Sequence, residues 1–384
     1  RVAAVAGASA AASVTFGPPR LAAATDSTTA TSPTWSAHTD IYPTIVGNQA
    51  DSLGNQADSL GNQAAAPIHV EAATGAELFV EIMNANGVDC LFMNPGTDTF
   101  ALQEAIARMQ SQGRRTPRVV MSIHEIPAMA AAHGYFMVTG RPQVLFVHVD
   151  VGTMNVGGNL HNAYRGRAGI VFCAGRTPWT TNGELPGARD MNIHWLQEDY
   201  DQGGIVRNFV KWEYELRTNA NAHQVVQRAF QVAGSEPDGP VYLTFPRELL
   251  MEEIGPRDIL PPSRYGAARA PAVADSDLEL VAQALVQADH PVILTSYAGR
   301  HPAAVDGLVR LAEAAAVPVV EVSRQYMNFP TAHDLHLGSN PAPLLREADL
   351  VLAIDADIPY IAAMGQVPKP GTQIMQLDID PIKL

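Results

Sequence analysis

The chain has 384 residues, of which 47% are hydrophobic and 17% charged, a composition that excludes disorder throughout and suffices for two domains with full cores. Its 25 basic and 39 acidic residues give a formal net charge of −14, and the lack of a basic run argues against nucleic acid as a partner. The sequence has no uninterrupted apolar run of about 18 residues, so we expect neither a membrane-spanning helix nor a membrane partner.

Residues 1–67 differ in composition from the rest of the chain. They open on Arg1 with an Ala-rich, mildly hydrophobic segment, and residues 47–64 read "GNQADSLGNQADSLGNQA", a repeat of a seven-residue unit. One Leu per unit supplies no coiled-coil seam, so we predict a disordered leader and a flexible linker. The leader also resembles the end of a twin-arginine export signal, which would make the protein periplasmic; a cytoplasmic protein with a disordered leader is the alternative.

From Ile68 onward, apolar strands alternate with amphipathic helices. The segment "TGAE", Thr74 to Glu77, is a capping box that opens the first helix. Further strands are predicted at 89–93, 118–122, 143–149, 169–175 and 240–245, and helices at 100–110, 127–138 and 223–232. Continuous apolar strands separated by helices predict a parallel sheet that is covered on both faces.

A second unit of the same kind follows a segment rich in Pro, Arg and Ala. We assign residues 256–274 to a linker and residues 275–384 to a second domain, with strands at 291–297, 318–323, 350–355 and 372–380 and helices at 278–288 and 303–315. The predicted fold class is therefore α/β, with two doubly wound, Rossmann-like or flavodoxin-like domains at 68–255 and 275–384. The two cysteines, Cys90 and Cys173, lie in apolar strands and are expected to be buried thiols.

Polar side chains follow three of the strands in the first domain. The first strand runs into "NPGTDT", where Thr97, Asp98 or Thr99 could cap the next helix. Glu125 follows the second strand in "SIHEIPAMAAAHGY", and His148 opens "HVDVGTMN" after the third. Because ligands bind at the carboxyl edge of open parallel sheets, these strand ends predict one shared crevice.

Each of these side chains has a purely structural interpretation as well. Glu125 is either a group that holds or shares a proton, or an acid placed at a helix N-terminus by the macrodipole. His148 is either a general acid or base, or a hydrogen-bonded core histidine. An ordinary strand-to-helix turn would account for "NPGT".

Other polar residues are expected to play no part in a site. Asp355 and Asp357 follow a strand of the second domain, and we interpret them as solvated acids rather than as a metal pair. The histidines at 161, 194 and 301 are expected at the surface. No residue of the chain is assigned as a metal ligand.

Taken in series, these motifs resemble the pyrimidine-binding domain of thiamine-diphosphate enzymes of the acetolactate synthase and benzoylformate decarboxylase group. The shared features are "NPGT", a strand followed by Glu125, "AAHGY" in the next helix, a "TGRP" turn and the strand end "GTMN". The second half, with "PVILTSYAGR", "LREADLVLAID" and "LDIDP", resembles their central domain. The resemblance covers about residues 70–384 and implies a thiamine-dependent enzyme that decarboxylates a 2-oxo acid or joins its acyl unit to an acceptor.

The resemblance also implies roles for individual residues. Glu125 would hydrogen-bond N1′ of the cofactor's aminopyrimidine and favour the tautomer that removes the proton from thiazolium C2. Pro95, Gly96 and Asn155 would contact the cofactor. His148 would be catalytic and contact the substrate.

Thr97 falls where those decarboxylases place a serine that contacts the substrate carboxylate. Their second catalytic histidine has no match in "DADIPYIAAMGQVPKPG", which argues against benzoylformate itself as the substrate.

Family members anchor the cofactor's diphosphate and a magnesium ion through a Gly-Asp-Gly strand end in a third domain, and this chain contains no Gly-Asp-Gly. We therefore expect the Mg²⁺ ligands to lie outside this chain, the isolated chain to be inactive, and the site to form at a subunit interface of a homodimer or homotetramer. FAD is a disfavoured cofactor, because "SYAGRHP" is not a complete phosphate-binding fingerprint. The alternative function is a non-catalytic relative that binds a nucleotide or flavin and acts as a scaffold or regulatory subunit.

Overall fold

The computed structural model describes residues 65–268 and 270–380. The predicted leader and the seven-residue repeats lie outside these residues. Within them, two parallel sheets and one short antiparallel pair account for the strands. No helix in this part of the chain is both long and apolar enough to cross a lipid bilayer.

The first sheet has six strands, all parallel, in the order β3-β2-β4-β5-β7-β6. A separate antiparallel pair joins β1 to β8. The strands up to this point are β1 Ile68–Val70, β2 Cys90–Asn94, β3 Arg118–Met121, β4 Gln143–Val147, β5 Ile170–Arg176, β6 Glu213–Glu215, β7 Val241–Pro246 and β8 Arg257–Ile259. The helices are α1 Gly75–Ala85, α2 Phe100–Ser111, α3 Glu125–Thr139, α4 Val149–Asn155, α5 Gly157–Arg165, α6 Ile193–Leu196, α7 Ala222–Ala233 and α8 Arg247–Met251.

Both faces of this sheet are buried, as the continuous apolar strands predicted. On β4, Phe146 belongs to one apolar cluster, while its neighbour Leu145 belongs to the cluster on the opposite face. Adjacent residues point to opposite sides of a strand, so an uninterrupted apolar run requires cover on both sides. Cys90 and Cys173 are buried free thiols, as expected, and burial raises the pKa of Cys173 well above its ordinary value.

The capping box at the start of α1 forms with one difference from the prediction. The hydroxyl of Thr74 accepts a hydrogen bond from the backbone N–H of Glu77 at 3.3 Å, but the Glu77 carboxylate reaches back to the N–H of Ala73, at 2.8 Å. Glu77 is buried and also pairs with Arg108 and Arg114. Burial favours the neutral acid, yet these donors and cations outweigh it and leave the pKa of Glu77 below its ordinary value.

The second sheet has four parallel strands in the order β10-β9-β11-β12. Its strands are β9 Pro291–Thr295, β10 Val319–Glu321, β11 Leu350–Ile354 and β12 Gln373–Leu377, and its helices are α9 Asp275–Gln287, α10 Pro302–Ala315 and α11 Ala342–Leu345. Apolar clusters again cover both faces. The domain boundaries remain predictions, and β8 lies within the segment that we assigned to the linker.

A buried ion cluster joins the turn before β5 to the segments that follow β11 and β12. Arg167 is 1% exposed, and its guanidinium lies 2.7 Å from Asp355, 2.7 Å from Asp357 and 3.1 Å from Asp378. The guanidinium also stacks over the ring of Tyr297 at 4.7 Å. The prediction that Asp355 and Asp357 are solvated acids is therefore wrong, because both serve as counterions to Arg167, which lies between α5 and β5.

Candidate active site

Glu125 lies at the carboxyl edge of the first sheet, where β3 gives way to α3. It is the first residue of α3, after His124, whose ring Nδ1 accepts a hydrogen bond from the backbone N–H of Ile126 at 3.2 Å. Glu125 is only 6% exposed. Its Oε2 accepts a hydrogen bond from the side-chain amide of Asn155 at 3.1 Å, and Oε1 accepts none from the residues that the structure describes. One carboxylate oxygen is thus fixed and the other is left for a further donor.

Gly152 explains why the "GTMN" segment can hold Glu125. A Cβ atom at Gly152 would lie 3.0 Å from the side chain of Val147 and 3.4 Å from Oε1 of Glu125. The missing side chain at Gly152 therefore relieves crowding between α4 and the end of β4, next to the start of α3. Asn155 follows three residues later on the same face of the helix, within reach of the carboxylate. The predicted cofactor residues Glu125 and Asn155 are therefore brought together.

His148 stands between two polar partners at the next strand end. Its ring Nδ1 hydrogen-bonds the carboxylate of Asp98, and its Nε2 lies 2.9 Å from the side-chain amide nitrogen of Gln197. Burial lowers the pKa of His148, but the hydrogen bond and charge of Asp98 raise it, with smaller contributions from Asp150 and Glu125, so the pKa lies above its ordinary value. His148 is therefore a hydrogen-bonded histidine with a partner at each ring nitrogen, and Asp98 favours its protonated form.

The "NPGT" loop brings Gly96 against the ring of His148. A Cβ atom on Gly96 would lie 2.0 Å from Nδ1 of His148, so the loop can take this path only with glycine at that position. The hydroxyl of Thr99 accepts from the N–H of Gly96 at 3.1 Å and donates to its carbonyl at 2.9 Å. The prediction of a side-chain cap for α2 is wrong, because the N-cap Thr99 makes no capping hydrogen bond and holds the loop instead. Thr97 is exposed and Pro95 half-buried on the same loop.

Sequence reasoning missed the two residues that hold His148. Asp98 is 2% exposed, although we had considered it only as a helix cap. Gln197 lies in an irregular segment without periodicity, so no sequence signal pointed to it. Its backbone carbonyl accepts a hydrogen bond from the hydroxyl of Thr177 at 2.7 Å, which holds the segment against the end of β5.

The other histidines follow the predictions only in part. His161 is exposed as expected, whereas His194 is buried and its Nε2 lies 2.9 Å from the guanidinium of Arg247. Burial and the neighbouring Arg247 lower the pKa of His194, which favours its neutral form. His301 is exposed, as expected, and pairs with Glu236.

Exposed apolar side chains lie on the elements that flank Glu125 in the chain and on α4. Five large apolar residues of β3, α3, α4 and the loop before α3 are exposed by 42% to 99%. They are Met121, Ile123, Ile126, Val151 and Met154. Among the described residues, no group of three or more His, Cys, Asp or Glu side chains could hold a metal ion.

Comparison with known proteins identifies the family. Residues 73–205 match the family described as "Thiamine pyrophosphate enzyme, N-terminal TPP binding domain", and residues 278–384 match "Thiamine pyrophosphate enzyme, central domain". The chain belongs to the thiamine pyrophosphate enzymes. This family depends on thiamine diphosphate, so the resemblance drawn from the motifs is confirmed.

Individual relatives agree with this family. The chain is 26% identical over 319 residues to a benzoylformate decarboxylase of Pseudomonas aeruginosa, covering 78% of this chain and 56% of the relative. It is 24% identical over 291 residues to an acetolactate synthase of Bacillus subtilis, covering 74% of this chain and 48% of the relative. The chain thus spans about half the length of the curated relatives it matches. None of these comparisons supports a non-catalytic nucleotide-binding or flavin-binding relative.

A solved structure shares the fold. The thiamine diphosphate-dependent 4-hydroxybenzoylformate decarboxylase of Rhodococcus jostii RHA1 superimposes with a TM-score of 0.68 at 24% identity, covering 81% of this chain and 57% of that one. The predicted α/β class with parallel sheets is confirmed.

Proposed function

We propose that this chain supplies the pyrimidine-binding and central parts of a thiamine-diphosphate-dependent enzyme that decarboxylates a 2-oxo acid or transfers its acyl unit to an acceptor. The observation that carries the proposal is the buried carboxylate of Glu125, held through one oxygen by Asn155 at the carboxyl edge of the sheet. When bound, thiamine diphosphate would supply a nucleophilic carbon and an electron sink for decarboxylation.

The described residues fit the aminopyrimidine end of this cofactor. Oε1 of Glu125 can accept a hydrogen bond from a ring nitrogen, while the amide of Asn155 prevents the carboxylate from turning away. Burial strengthens this interaction, since a hydrogen bond to a carboxylate is stronger where water is excluded. Glu125 would thus hold a proton at N1′ of the pyrimidine. Pro95 and Gly96 are proposed to contact the cofactor from the loop after β2.

His148 and Thr97 are proposed to act on the substrate. His148 would give or take a proton at Nε2, the ring nitrogen that does not face Asp98. Thr97 is exposed at the same edge, where its hydroxyl could donate to the carboxylate of a small 2-oxo acid. The names of the relatives, which include benzoylformate decarboxylase and acetolactate synthase, support this class of substrate.

A second subunit is proposed to complete the site. The exposed apolar side chains next to Glu125 in the chain, such as Ile123 at 99% and Met121 at 60%, support a homodimer or homotetramer that buries them. The diphosphate and Mg²⁺ would be held by residues outside this chain.

Replacing Glu125 by Gln tests the proposal. The amide keeps the shape but cannot hold the proton, so exchange of the C2 proton of added thiamine diphosphate, followed by proton NMR, should slow by about 10²–10⁴-fold, and decarboxylation should fall with it. The assay uses the complete polypeptide that the gene encodes, with a panel of aliphatic and aromatic 2-oxo acids. Glu104→Gln is the matched control, since Glu104 is exposed on α2. Undiminished exchange in Glu125→Gln would refute the role of Glu125.

A further inference from the structure

The Asp98 carboxylate determines which nitrogen of His148 carries a hydrogen. An ionised carboxylate only accepts hydrogen bonds, so Nδ1 of His148, which faces Asp98, must donate. Nε2 then faces the side-chain amide of Gln197 at 2.9 Å. In one orientation the amide donates from its NH₂ group to a neutral Nε2. Rotated by about 180°, it accepts through its oxygen from a protonated Nε2. Gln197 can therefore hydrogen-bond Nε2 of His148 in both protonation states of the ring.

The pair is tightly enclosed. A Cβ atom at Gly175, near the end of β5, would lie 1.5 Å from Oδ2 of Asp98, and one at Gly96 would lie 2.0 Å from Nδ1 of His148. Oδ2 of Asp98 also lies 3.4 Å from the backbone N–H of Val149. Two strand ends thus leave room for the carboxylate and the ring only because they carry no side chains at these points. An arrangement with so little free space fixes the orientation of the ring.

The charged groups around the ring come from each element packed against it. Asp98 approaches from the loop before α2, Glu125 from α3 and Asp150 from α4. On the side of α6, His194 lies beside Arg247 of α8. Among these groups, only Asp98 hydrogen-bonds the ring.

We propose that Asp98 is a positioning residue: its carboxylate holds the Nδ1–H of His148 and so directs the exchangeable proton to Nε2, beside Gln197. The use of that proton in decarboxylation rests on the proposed function. The tautomer and the orientation of the ring do not, because they are properties of the chain without cofactor.

The test follows the imidazole of His148 directly. The chain is labelled with ¹⁵N-histidine, its ring signals are recorded by NMR as a function of pH, and those of His148, one of 12 histidines, are identified by their loss in His148→Gln. In the wild type the neutral ring should carry its hydrogen on Nδ1. In Asp98→Ala the Nδ1–H tautomer should be lost, and the titration midpoint of His148 should move to lower pH, since burial is no longer opposed by the carboxylate.

Two further variants keep the test decisive. Asp98→Asn preserves the shape, so it replaces Asp98→Ala if that variant does not fold, and its midpoint should also move to lower pH. Asp150→Asn removes a nearby charge that does not touch the ring, and should lower the midpoint by less. The proposal is overturned by a wild-type ring with its hydrogen on Nε2, or by an Asp98→Asn midpoint no lower than that of Asp150→Asn. Failure of Glu125→Gln to slow C2 exchange would leave these NMR results intact, so the two proposals fail separately.

Discussion

Replacing Arg167 by Met should lower the free energy of unfolding, because it removes the cation from the buried ion cluster. The guanidinium of Arg167 is shared by Asp355, Asp357 and Asp378, whose side chains are exposed by only 11%, 19% and 1%. Met fills a similar volume but removes the cation, and Arg300, 3.2 Å from Asp355, remains as a counterion to one of the three carboxylates. Removing one partner of a buried ion pair costs about 3–5 kcal/mol, and three carboxylates left behind place this site at the upper end.

The stability lost in Arg167→Met should be smaller under acidic conditions. Burial raises the pKa of Asp355, and the nearby Arg300 and Arg167 lower it only in part. A carboxyl group with a raised pKa in the folded state contributes stability at low pH that is lost as the pH rises through that pKa. Without Arg167, Asp355 should hold its proton to still higher pH. The difference in the free energy of unfolding between variant and wild type should therefore be larger at about pH 7 than at about pH 4.

Equilibrium urea unfolding, followed by circular dichroism, measures both effects. Arg165→Met is the matched control: Arg165 lies two residues earlier but is exposed, so its loss should change the free energy of unfolding by about 0.5 kcal/mol or less. Arg167→Lys should fall between the two, because an ammonium cannot bond three carboxylates in the planar geometry of a guanidinium. Equal urea midpoints for Arg167→Met and Arg165→Met would refute the reasoning.

Two further predictions concern packing and pH. Gly96→Ala places a Cβ atom 2.0 Å from Nδ1 of His148, so it should lower the free energy of unfolding by about 1–3 kcal/mol in urea titrations. The control Gly158→Ala, whose Cβ atom would meet no atom within 4 Å, should not lower it. His301→Ala should lower stability at about pH 5.5 but much less at about pH 9, as thermal unfolding at the two pH values would show. The hydrogen bond to Glu236 raises the pKa of His301 above 6.5, against the effect of burial. The stability that protonated His301 adds is therefore present below pH 6.5 and is lost as the pH rises through the raised pKa. An equal effect at both pH values would contradict this.

Most strands of the two sheets could be predicted because they lie in apolar runs. β1, β6 and β8 were not predicted, because each has only three residues and includes polar side chains. The sequence predicts a strand at 89–93, and the structure has one at Cys90–Asn94. The strand predicted at 291–297 is shorter in the structure, Pro291–Thr295. In both cases the type of element is right and the ends shift by one or two residues, where polar residues can join either the strand or the turn. The parallel arrangement also follows, since apolar strands joined by helices form parallel sheets, whereas the order of the strands was not predicted.

The contacts of polar side chains were predicted less well, because they join residues that are far apart in the chain. Arg167 and Asp355 are 188 residues apart, and nothing in "RGRAG" or "AIDAD" signals the other. Asp98 illustrates the same difficulty: after a strand and before a helix an Asp favours capping, and only the fold reveals that His148, 50 residues later, competes for its carboxylate. Local patterns fix where a polar residue stands, and tertiary structure decides what it binds.

The candidate site depends on glycines as much as on its polar residues. Gly96 faces His148 and Gly175 faces Asp98, each at a distance where a Cβ atom would displace the polar group, while a Cβ atom at Gly152 would crowd Val147 beside Glu125. The acids and the imidazole are therefore positioned by the close approach of backbone segments, and not only by their hydrogen bonds. This explains why "NPGT" and "GTMN" are informative motifs although few of their side chains bind anything. Their glycines determine how closely three strand ends can meet, and that distance determines whether a carboxylate and an imidazole can share one crevice.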